Sequence, residues 1–240
     1  MGKVVTFLTA EWRNLLMANY EVDPQILKKY LPSRVELDDW NGTHYASLIG
    51  FLFTNTKVRG IAFPFHRTFE EVNLRFYVRY KDGNTWKRGV VFVKEIVPRI
   101  AIVLVANTLY KEKYAAMPMR YRWDSSEAGK LKVEYNWKVK GEWNFLKATA
   151  DTVSQPIPAG SEAEFITEHY WGYTKMSEAV TSEYEVVHPR WNMQQVVEFE
   201  KHCNVKALYG AEFVEPLQQQ PKSVFLADGS AVKVMGGGRV

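Results

Sequence analysis

The chain has a single cysteine, Cys203, among its 240 residues. One thiol excludes a disulfide within the chain, and this favours a reducing compartment and predicts a cytoplasmic location. The net charge is also small, because 31 lysines and arginines nearly balance 27 aspartates and glutamates. A nucleic-acid-binding domain should carry a basic stripe, whereas here the signs alternate, as in Lys111-Glu112-Lys113. Nucleic acid is therefore not an expected partner.

Long apolar runs are absent as well. The longest extends from Ile100 to Ala106, far short of the roughly 20 residues that a membrane-spanning helix needs. The first ten residues contain a short apolar run, but Glu11 and Arg13 follow it at once, so the pattern does not predict a secretory signal. We therefore expect no membrane partner.

Motifs for cofactors and metals are also missing. The three glycines at 236–238 precede no predicted helix, so they do not match a phosphate-binding loop. Cys203 and the five histidines lack the spacing of a zinc site, and Glu200 with His202 would share one strand face without further local ligands. Cys203 beside His202 is interpreted as a structural thiol, because adjacent strand residues point to opposite faces. We expect neither a cofactor nor a metal.

Aromatic residues, in contrast, are abundant at 14%, with 8 Trp, 13 Tyr and 13 Phe. Large aromatic side chains favour β-structure. Alternation with period two predicts strands most clearly at Glu71–Tyr80 and Leu131–Lys140. Further strands are predicted at 15–22, 43–53, 89–97, 144–150, 170–176 and 181–188. A C-terminal hairpin of 222–226 and 231–235 is predicted to turn at Asp228-Gly229.

Few helices are predicted. Asp23 before Pro24 has the pattern of a helix start, and Ser161 with Glu164 matches a capping box. The apolar stretch 99–110 favours a helix, with a strand as the alternative, and 204–217 is a weaker helix because of Gly210. Short connections between most strands predict one domain over residues 1–240. Its fold class is β-rich α+β, an antiparallel β-barrel or curled sheet with a few packed helices.

The strand that begins at Glu71 carries a polar row along one face, formed by Glu71, Asn73, Arg75 and Tyr77. One interpretation is a solvent-facing row on a half-buried sheet. The other is that the row faces a lumen, where buried charges must be paired and can orient a carboxylate or carbonyl ligand. The pattern alone leaves both interpretations open.

Three further charges lie beside apolar strand residues. Arg13 precedes the strand 15–22 and is either a surface charge or a group that binds an acid. Lys94 and Glu95 point to opposite faces of an apolar strand, so at least one is expected to be buried and compensated. A structural ion pair and a pocket group are the alternatives for this pair.

Several segments resemble the acetoacetate decarboxylase-like superfamily. The likeness to the decarboxylases covers about the first half of the chain, at Arg13, Tyr20, Asp23-Pro24, Pro32, Val35-Glu36-Leu37, Glu71, Val78-Arg79-Tyr80 and Lys94-Glu95-Ile96. The likeness to a branch known only as a domain of unknown function extends over nearly the full length. It is carried by HRTFEEVNLRFYV (66–78), GVVFVKEIVPR (89–99), EHYWGYT (168–174), EYEVVHPRW (183–191) and SVFLADGSAV (223–232).

The resemblance implies a β-barrel with a buried active site. In the decarboxylases, one lysine of a Pro-Lys-Lys element forms a Schiff base with a β-keto acid, and an arginine and glutamates surround it. By position, Arg13 and Glu71 match the arginine and one glutamate. The lysine pair has no counterpart, because Lys94 stands where the family has arginine and the next lysine is Lys111.

Three functional hypotheses follow. The leading one is a pocket for a small carboxylate or carbonyl compound, lined by Arg13, Glu71, Asn73, Arg75 and Glu95. The second is a lyase or decarboxylase-type enzyme with Lys94 as the catalytic amine, or Lys111 if it reaches the pocket. The third, suggested by the high Trp and Tyr content, is a non-catalytic assembly or interaction module. Homo-oligomerisation is left open.

Overall fold

The computed structural model describes residues 5–109 and 112–240. The strands are, in chain order, β1 (Thr6–Glu21), β2 (Val35–Leu37), β3 (Tyr45–Val58), β4 (Phe69–Asp82), β5 (Thr85–Val97), β6 (Tyr114–Ala116), β7 (Met119–Asp124), β8 (Lys130–Val139), β9 (Glu142–Pro156), β10 (Trp171–Lys175), β11 (Thr181–Val187), β12 (Asn192–His202), β13 (Ser223–Met235) and β14 (Gly238–Arg239). The helices are α1 (Pro24–Lys28), α2 (Ile100–Leu109), α3 (Glu162–Thr167), α4 (Val205–Tyr209) and α5 (Val214–Gln218), with a 3₁₀ turn at Ala211–Phe213.

These strands form one sheet in the order β14-β11-β10-β5-β4-β3-β1-β13-β12-β9-β8-β7, with β2 beside β4 and β6 beside β5. The pairings are antiparallel except those of β5 with β6 and with β10. The sheet curls so far that β11 also pairs with β13, through Val186–Val234 and Val187–Lys233. The predicted β-rich α+β class is confirmed, as a curled sheet rather than a regular barrel.

Both faces of the central strands are buried, and this determines where a site can lie. One face contributes Leu74 of β4 to a first core that also contains Trp137 of β8. The opposite face packs Tyr77 of β4 with Phe165 of α3 in a second core. Every residue of β4 from Val72 to Val78 is buried. The polar row on this strand therefore cannot face solvent, and the solvent-facing interpretation was wrong.

The predicted helix caps are confirmed. Asp23 accepts a hydrogen bond from the backbone N–H two residues further on, at 2.8 Å. The Ser161 hydroxyl accepts one from the backbone N–H three residues further on, at 3.2 Å. The helix predicted at 204–217 is divided at Gly210, whose φ of 107° ends α4. Helix α2 lies where the sequence left helix and strand as alternatives.

A paired bend in β1 and β13 was not predicted. Relative to β3, strand β1 has one extra residue between Arg13 and Leu16, and Asn14 lies there with a φ of 50°. On the other side of β1, Gly229 pairs with Arg13 and has a φ of 76°. The predicted hairpin at Asp228-Gly229 was wrong, because these residues bend one continuous strand so that it follows β1.

The bend makes Gly229 hard to replace. We expect Gly229→Ala to lower the free energy of unfolding by about 2 to 3 kcal/mol, as backbone strain and a close contact add. An added Cβ would lie 2.1 Å from the carbonyl oxygen of Trp12. Urea denaturation measures the loss. Gly83→Ala is the matched control, since Gly83 also has a positive φ, of 59°, with open space around an added Cβ. Equal losses in both variants would contradict the role of the close contact.

Candidate functional site

A cavity of about 410 Å³ lies on the side of the second core. Its volume is in the range of small-molecule sites. Most of its wall is apolar, and strands β1, β3, β4, β5, β10 and β11 and helix α2 contribute to it. The polar lining side chains are Thr56, His66, Glu71, Asn73, Arg75, Glu95, Glu112, Tyr114, Thr167, His169, Tyr184 and His188.

Aromatic rings in mutual contact form a large part of the wall. Trp12 meets Trp191 edge-on, with ring centroids 6.2 Å apart, and His188 stacks on Trp191 at 4.2 Å. Phe53 stacks on Phe69 at 4.6 Å. Packed aromatic rings have few rotamers and a large apolar area. This part of the cavity is therefore suited to a flat or apolar portion of a ligand.

Three glutamates meet among the polar lining groups. Glu71 comes from β4, Glu95 lies opposite Asn73 on β5, and Glu112 lies just before β6. All three are buried. The Asn73 side-chain amide donates to Oε1 of Glu71 at 2.8 Å, and the Tyr114 hydroxyl donates to Oε2 at 3.1 Å. Glu71 therefore has a donor on each of its carboxylate oxygens.

Glu95 and Glu112 lie close enough together for the charge of Glu112 to raise the pKa of Glu95. Two buried carboxylates so near each other favour a proton on one of them. Glu112 accepts a hydrogen bond from the Thr174 hydroxyl at 2.7 Å, and it is hydrogen bonded to Tyr184. Oε2 of Glu95, in contrast, has no hydrogen-bond partner among the described residues. The donors favour a charged Glu112, so the proton is assigned to Glu95.

Burial raises the pKa values of all three carboxyl groups. Burial raises the pKa of Glu95 well above its usual value, and the charges of Glu112 and Glu71 raise it further. Burial also raises the pKa of Glu71 to about 7, although Asn73 and Tyr114 act in the opposite direction. The site therefore holds carboxyl groups whose protonation changes near neutral pH.

Arg75 is the buried cation of the cavity and is only 8% exposed. One of its terminal nitrogens donates to the carbonyl oxygen of Ile166 at 3.1 Å, and its Nε has no partner among the described residues. No carboxylate of the described residues lies within 4.0 Å of its guanidinium. A buried charge without an ion pair is costly unless another group compensates it. Arg75 therefore offers free donors to an anionic group.

His169 belongs to a second buried network beside the cavity. Its Nε2 lies 3.1 Å from Oδ2 of Asp38, and its Nδ1 lies 2.6 Å from the carbonyl oxygen of Phe165. Arg88 donates to the same Asp38 oxygen at 2.7 Å. Burial acts to raise the pKa of Asp38, but the hydrogen bonds from His169 and Arg88 outweigh it and lower that pKa to about 2. This network holds the imidazole in one orientation.

Four of the predicted ligand-binding residues, Glu71, Asn73, Arg75 and Glu95, line the cavity. Arg13 does not, and its predicted place in the pocket was wrong. Its side chain is 44% exposed and pairs with Glu11 at 2.6 Å. In a regular strand Arg13 would share a face with Leu15, which lines the cavity. The extra residue at Asn14 reverses the alternation and turns Arg13 outwards.

Lys94 also lies away from the cavity, contrary to its predicted catalytic role. It pairs with Leu74, whose side chain belongs to the first core, whereas Glu95 on the next position faces the cavity. Burial lowers the pKa of Lys94. Lys111 lies outside the described residues. Among the residues that the structure describes, no lysine lines the cavity.

Several lining residues were missed by sequence reasoning. Glu112 was noted only in a run of charges of alternating sign, and His169 and His188 were weighed only as metal ligands. Tyr114 and Tyr184 were not considered. Only the packing of β6, β10 and β11 against β5 and β13 brings these side chains to the polar row. The sequence offered one sign of their importance. His169, Tyr184 and His188 lie within the segments that carry the family resemblance.

Exposed apolar side chains surround part of the cavity. Phe63 lines it from the β3–β4 connection, and Ile61 and Phe65 of the same connection are 59% and 85% exposed. On α2, Ile102 lines the cavity, whereas Leu104 is 62% exposed. These residues, on two segments that both line the cavity, form an exposed apolar rim.

Within residues 5–109 and 112–240, no group of three or more His, Cys, Asp or Glu side chains is arranged to hold a metal ion. None of the helices in these ranges has the length and apolar character needed to span a bilayer.

Solved structures with this fold define its class. The chain aligns with the enduracididine biosynthesis enzyme MppR at a TM-score of 0.67 and 13% identity. That structure holds the condensation product of pyruvate and imidazole 4-carboxaldehyde, and the alignment covers 98% of this chain and 89% of that chain. Acetoacetate decarboxylase from Legionella pneumophila aligns at a TM-score of 0.65 and 12% identity, over 100% and 90% of the two chains. The fold is thus that of the acetoacetate decarboxylase-like proteins.

The family is given by sequence. Residues 9–231 match the family DUF2071, described as an uncharacterized conserved protein (COG2071), and the chain belongs to this family. It is 32% identical over 190 residues to the uncharacterized protein YqjF of Bacillus subtilis (strain 168), which covers 76% of this chain and 73% of YqjF. The two parts of the predicted resemblance are thus confirmed as an uncharacterised family and as the fold of the acetoacetate decarboxylase-like proteins.

Proposed function

We propose that the protein binds a small carboxylate or carbonyl compound in its cavity, with the acidic group of the ligand on Arg75. The observation that carries this proposal is a buried arginine with an unpartnered Nε and no ion pair among the described residues. A carboxylate matches the planar donor geometry of a guanidinium and would supply the missing countercharge.

The three buried glutamates, Glu71, Glu95 and Glu112, form a carboxyl cluster that can bind polar groups next to the acid group of the ligand. A protonated Glu95 donates to a carbonyl oxygen, whereas an ionised carboxylate would repel it. Asn73 Oδ1 also has no partner within the described part of the chain and can accept a hydrogen bond from a ligand hydroxyl. A carbonyl or hydroxyl group next to the acid therefore finds a partner, which favours oxo acids over simple fatty acids.

The aromatic wall accounts for the remainder of the ligand. The volume of about 410 Å³ greatly exceeds that of a two- or three-carbon acid. Phe53, Phe69 and Trp191 offer apolar surface to an aromatic or branched side chain. We therefore expect the preferred ligands to combine a polar head with an apolar body.

Structures with this fold support an oxo acid as the ligand class. MppR, which is 14% identical to this chain, has been solved in complex with pyruvate. Similarity at this level concerns the fold alone. For this chain, Arg75 and the carboxyl cluster are the reason to propose an oxo acid.

Of the two alternative functions, the lyase that uses Lys94 is disfavoured by the position of this residue on the opposite face. The assembly module is supported by one observation, the exposed apolar rim that includes Phe65. This rim is compatible with ligand binding, so the two roles do not exclude each other. Cytoplasmic location and homo-oligomerisation stay predictions.

Calorimetric titration of the wild-type protein tests the proposal. We expect 2-oxo-4-phenylbutanoate to bind, 4-phenylbutanoate to bind more weakly because it lacks the carbonyl group, and the neutral ketone 4-phenyl-2-butanone to bind weakest. At a concentration about 100 times its dissociation constant, the oxo acid should stabilise the fold by about 2.7 kcal/mol. Arg13→Ala should bind unchanged, since Arg13 faces away from the cavity. Binding of the neutral ketone as tight as that of the acids would contradict a role for Arg75.

A further inference from the structure

Tyr114 connects two of the three buried glutamates. Its hydroxyl donates to Oε2 of Glu71 at 3.1 Å, and its backbone lies beside that of Glu95, with which it pairs across β5 and β6. Two hydrogen bonds between Tyr114 and Asn107 of α2, at 2.9 Å and 3.0 Å, hold the tyrosine backbone in place. A hydroxyl fixed between two carboxyl groups can pass a proton from one to the other.

The hydrogen bonds give the two carboxyl groups opposite protonation states. Glu71 accepts from Asn73 and Tyr114, and donors stabilise the ionised form of a carboxyl group. Glu95 has no partner on Oε2 among the described residues, and the charges of Glu112 and Glu71 favour its protonated form. Both Glu71 and Glu95 line the cavity. A base and an acid thus lie in one cavity, bridged by Tyr114.

We infer that Glu71 and Glu95 are a base and an acid that interconvert the keto and enol forms of a bound carbonyl compound. This inference rests on the proposed binding function and extends it to a reaction. The Glu71 carboxylate removes a proton from the carbon next to the carbonyl group, and the C–H electron pair becomes the C=C bond. The carbonyl π pair takes the proton of Glu95, so the product is the neutral enol.

Proton balance is restored within the site. After the step, Glu71 carries a proton and Glu95 is a carboxylate. The Tyr114 hydroxyl gives its proton to Glu95 and receives the proton of Glu71, which returns both groups to their starting states. No oxidant, reductant or external acid is required. Glu112 acts through Glu95, because its charge favours the protonated form of the Glu95 carboxyl group.

This route differs from chemistry through an iminium ion. A Schiff base needs an amine in the cavity, and among the described residues no lysine lines it. Acid–base enolisation needs only a carbonyl group with a hydrogen on the adjacent carbon. With Arg75 beside the cluster, the substrate class is 2-oxo acids that carry such a hydrogen and an apolar side chain.

Exchange of hydrogen for deuterium tests the inference. In deuterium oxide, proton NMR should show loss of the C3 signal of 2-oxo-4-phenylbutanoate at a rate above that in buffer alone. We expect Glu71→Gln to slow the catalysed exchange about 100-fold or more, the usual loss on removing a general base. The same variant should still bind 4-phenylbutanoate, which shows that it folds and that the acid subsite is intact. Lys94→Gln is the matched control and should exchange at the wild-type rate.

The outcomes separate the reaction from binding. Exchange that depends on Glu71 and is independent of Lys94 supports the inference. Binding of the oxo acid without exchange above the buffer rate would overturn the reaction and leave the proposed binding function standing. Exchange lost in Lys94→Gln would overturn the acid–base route in favour of an amine. If the protein shows no binding and no exchange, both proposals are wrong for this class of compound.

Discussion

Replacing Arg75 by glutamine should weaken the binding of 2-oxo-4-phenylbutanoate by about 10- to 100-fold, because a charge-assisted hydrogen bond contributes about 1.5 to 3 kcal/mol. The unliganded variant should be at least as stable as the wild type. Arg75 is buried without an ion pair among the described residues, and glutamine removes the cost of burying its charge. Loss of binding together with gain of stability identifies a residue kept for ligand recognition.

Calorimetric titration and urea denaturation of the same preparation measure both effects. Arg13→Gln is the matched control, because it removes the same charge from a side chain that is 44% exposed. This control should change neither affinity nor stability by more than about 0.5 kcal/mol. If Arg75→Gln bound the oxo acid as tightly as the wild type, the acid group would have another partner and the proposed orientation would be wrong.

Replacing Glu95 by glutamine should stabilise the protein increasingly as the pH rises. Burial, and the charges of Glu112 and Glu71, raise the pKa of Glu95 well above its usual value. In the unfolded chain this carboxyl group ionises near its usual pKa of about 4.3. Between that pH and its raised pKa, the folded state binds more protons than the unfolded state. Stability from Glu95 is therefore present at low pH and is lost as the pH rises through this window.

Glutamine has the shape of the neutral acid and does not titrate, so the variant escapes this loss. The difference in free energy of unfolding between Glu95→Gln and wild type should grow from about pH 5 to about pH 8, by about 1.4 kcal/mol for each unit by which the folded pKa exceeds the unfolded one. Measuring this difference cancels titrations that both proteins share. Both proteins keep the same charged and titratable groups around position 95, namely Glu71, Arg75, Glu112, Tyr114 and Tyr184.

Urea denaturation at a series of pH values measures the difference. Glu178→Gln is the control, because the Glu178 side chain is 92% exposed. Its difference from the wild type should stay nearly constant across the same range. A pH-independent difference for Glu95→Gln would mean that Glu95 is already ionised in the folded protein at neutral pH. It would then be unable to donate to a ligand carbonyl group.

Local chemistry accounts for the features that were predicted correctly. Period-two alternation identified β4 and β8, since a strand that packs on another layer must alternate its faces. The caps at Asp23 and Ser161 depend on only three or four neighbouring residues. The same alternation placed Glu71, Asn73 and Arg75 on one face. Glu71 and Arg75 were therefore predicted as neighbours. The alternation did not show whether their face of the strand is buried or exposed to solvent.

The errors arose where one segment depends on another. Arg13 was assigned to the pocket by its position in the family pattern, but an extra residue at Asn14 reverses the strand at that point. Asp228-Gly229 has the composition of a hairpin turn, yet β13 continues through it because it follows the bend of β1. Glu112 belongs to a charged run that reads as solvent-exposed until β6 pairs with β5 and buries it.

The sequence by itself determined the strands, the caps, the family and one polar row, because each depends on residues close together in the chain or on their order. Only the tertiary structure decided that both faces of β4 are buried, that Arg13 and Lys94 lie outside the cavity, and that Glu71, Glu95 and Glu112 meet. These three glutamates come from different segments, and the curling of the sheet brings them together. Their raised pKa values exist because burial removes water from charges that the sequence places far apart.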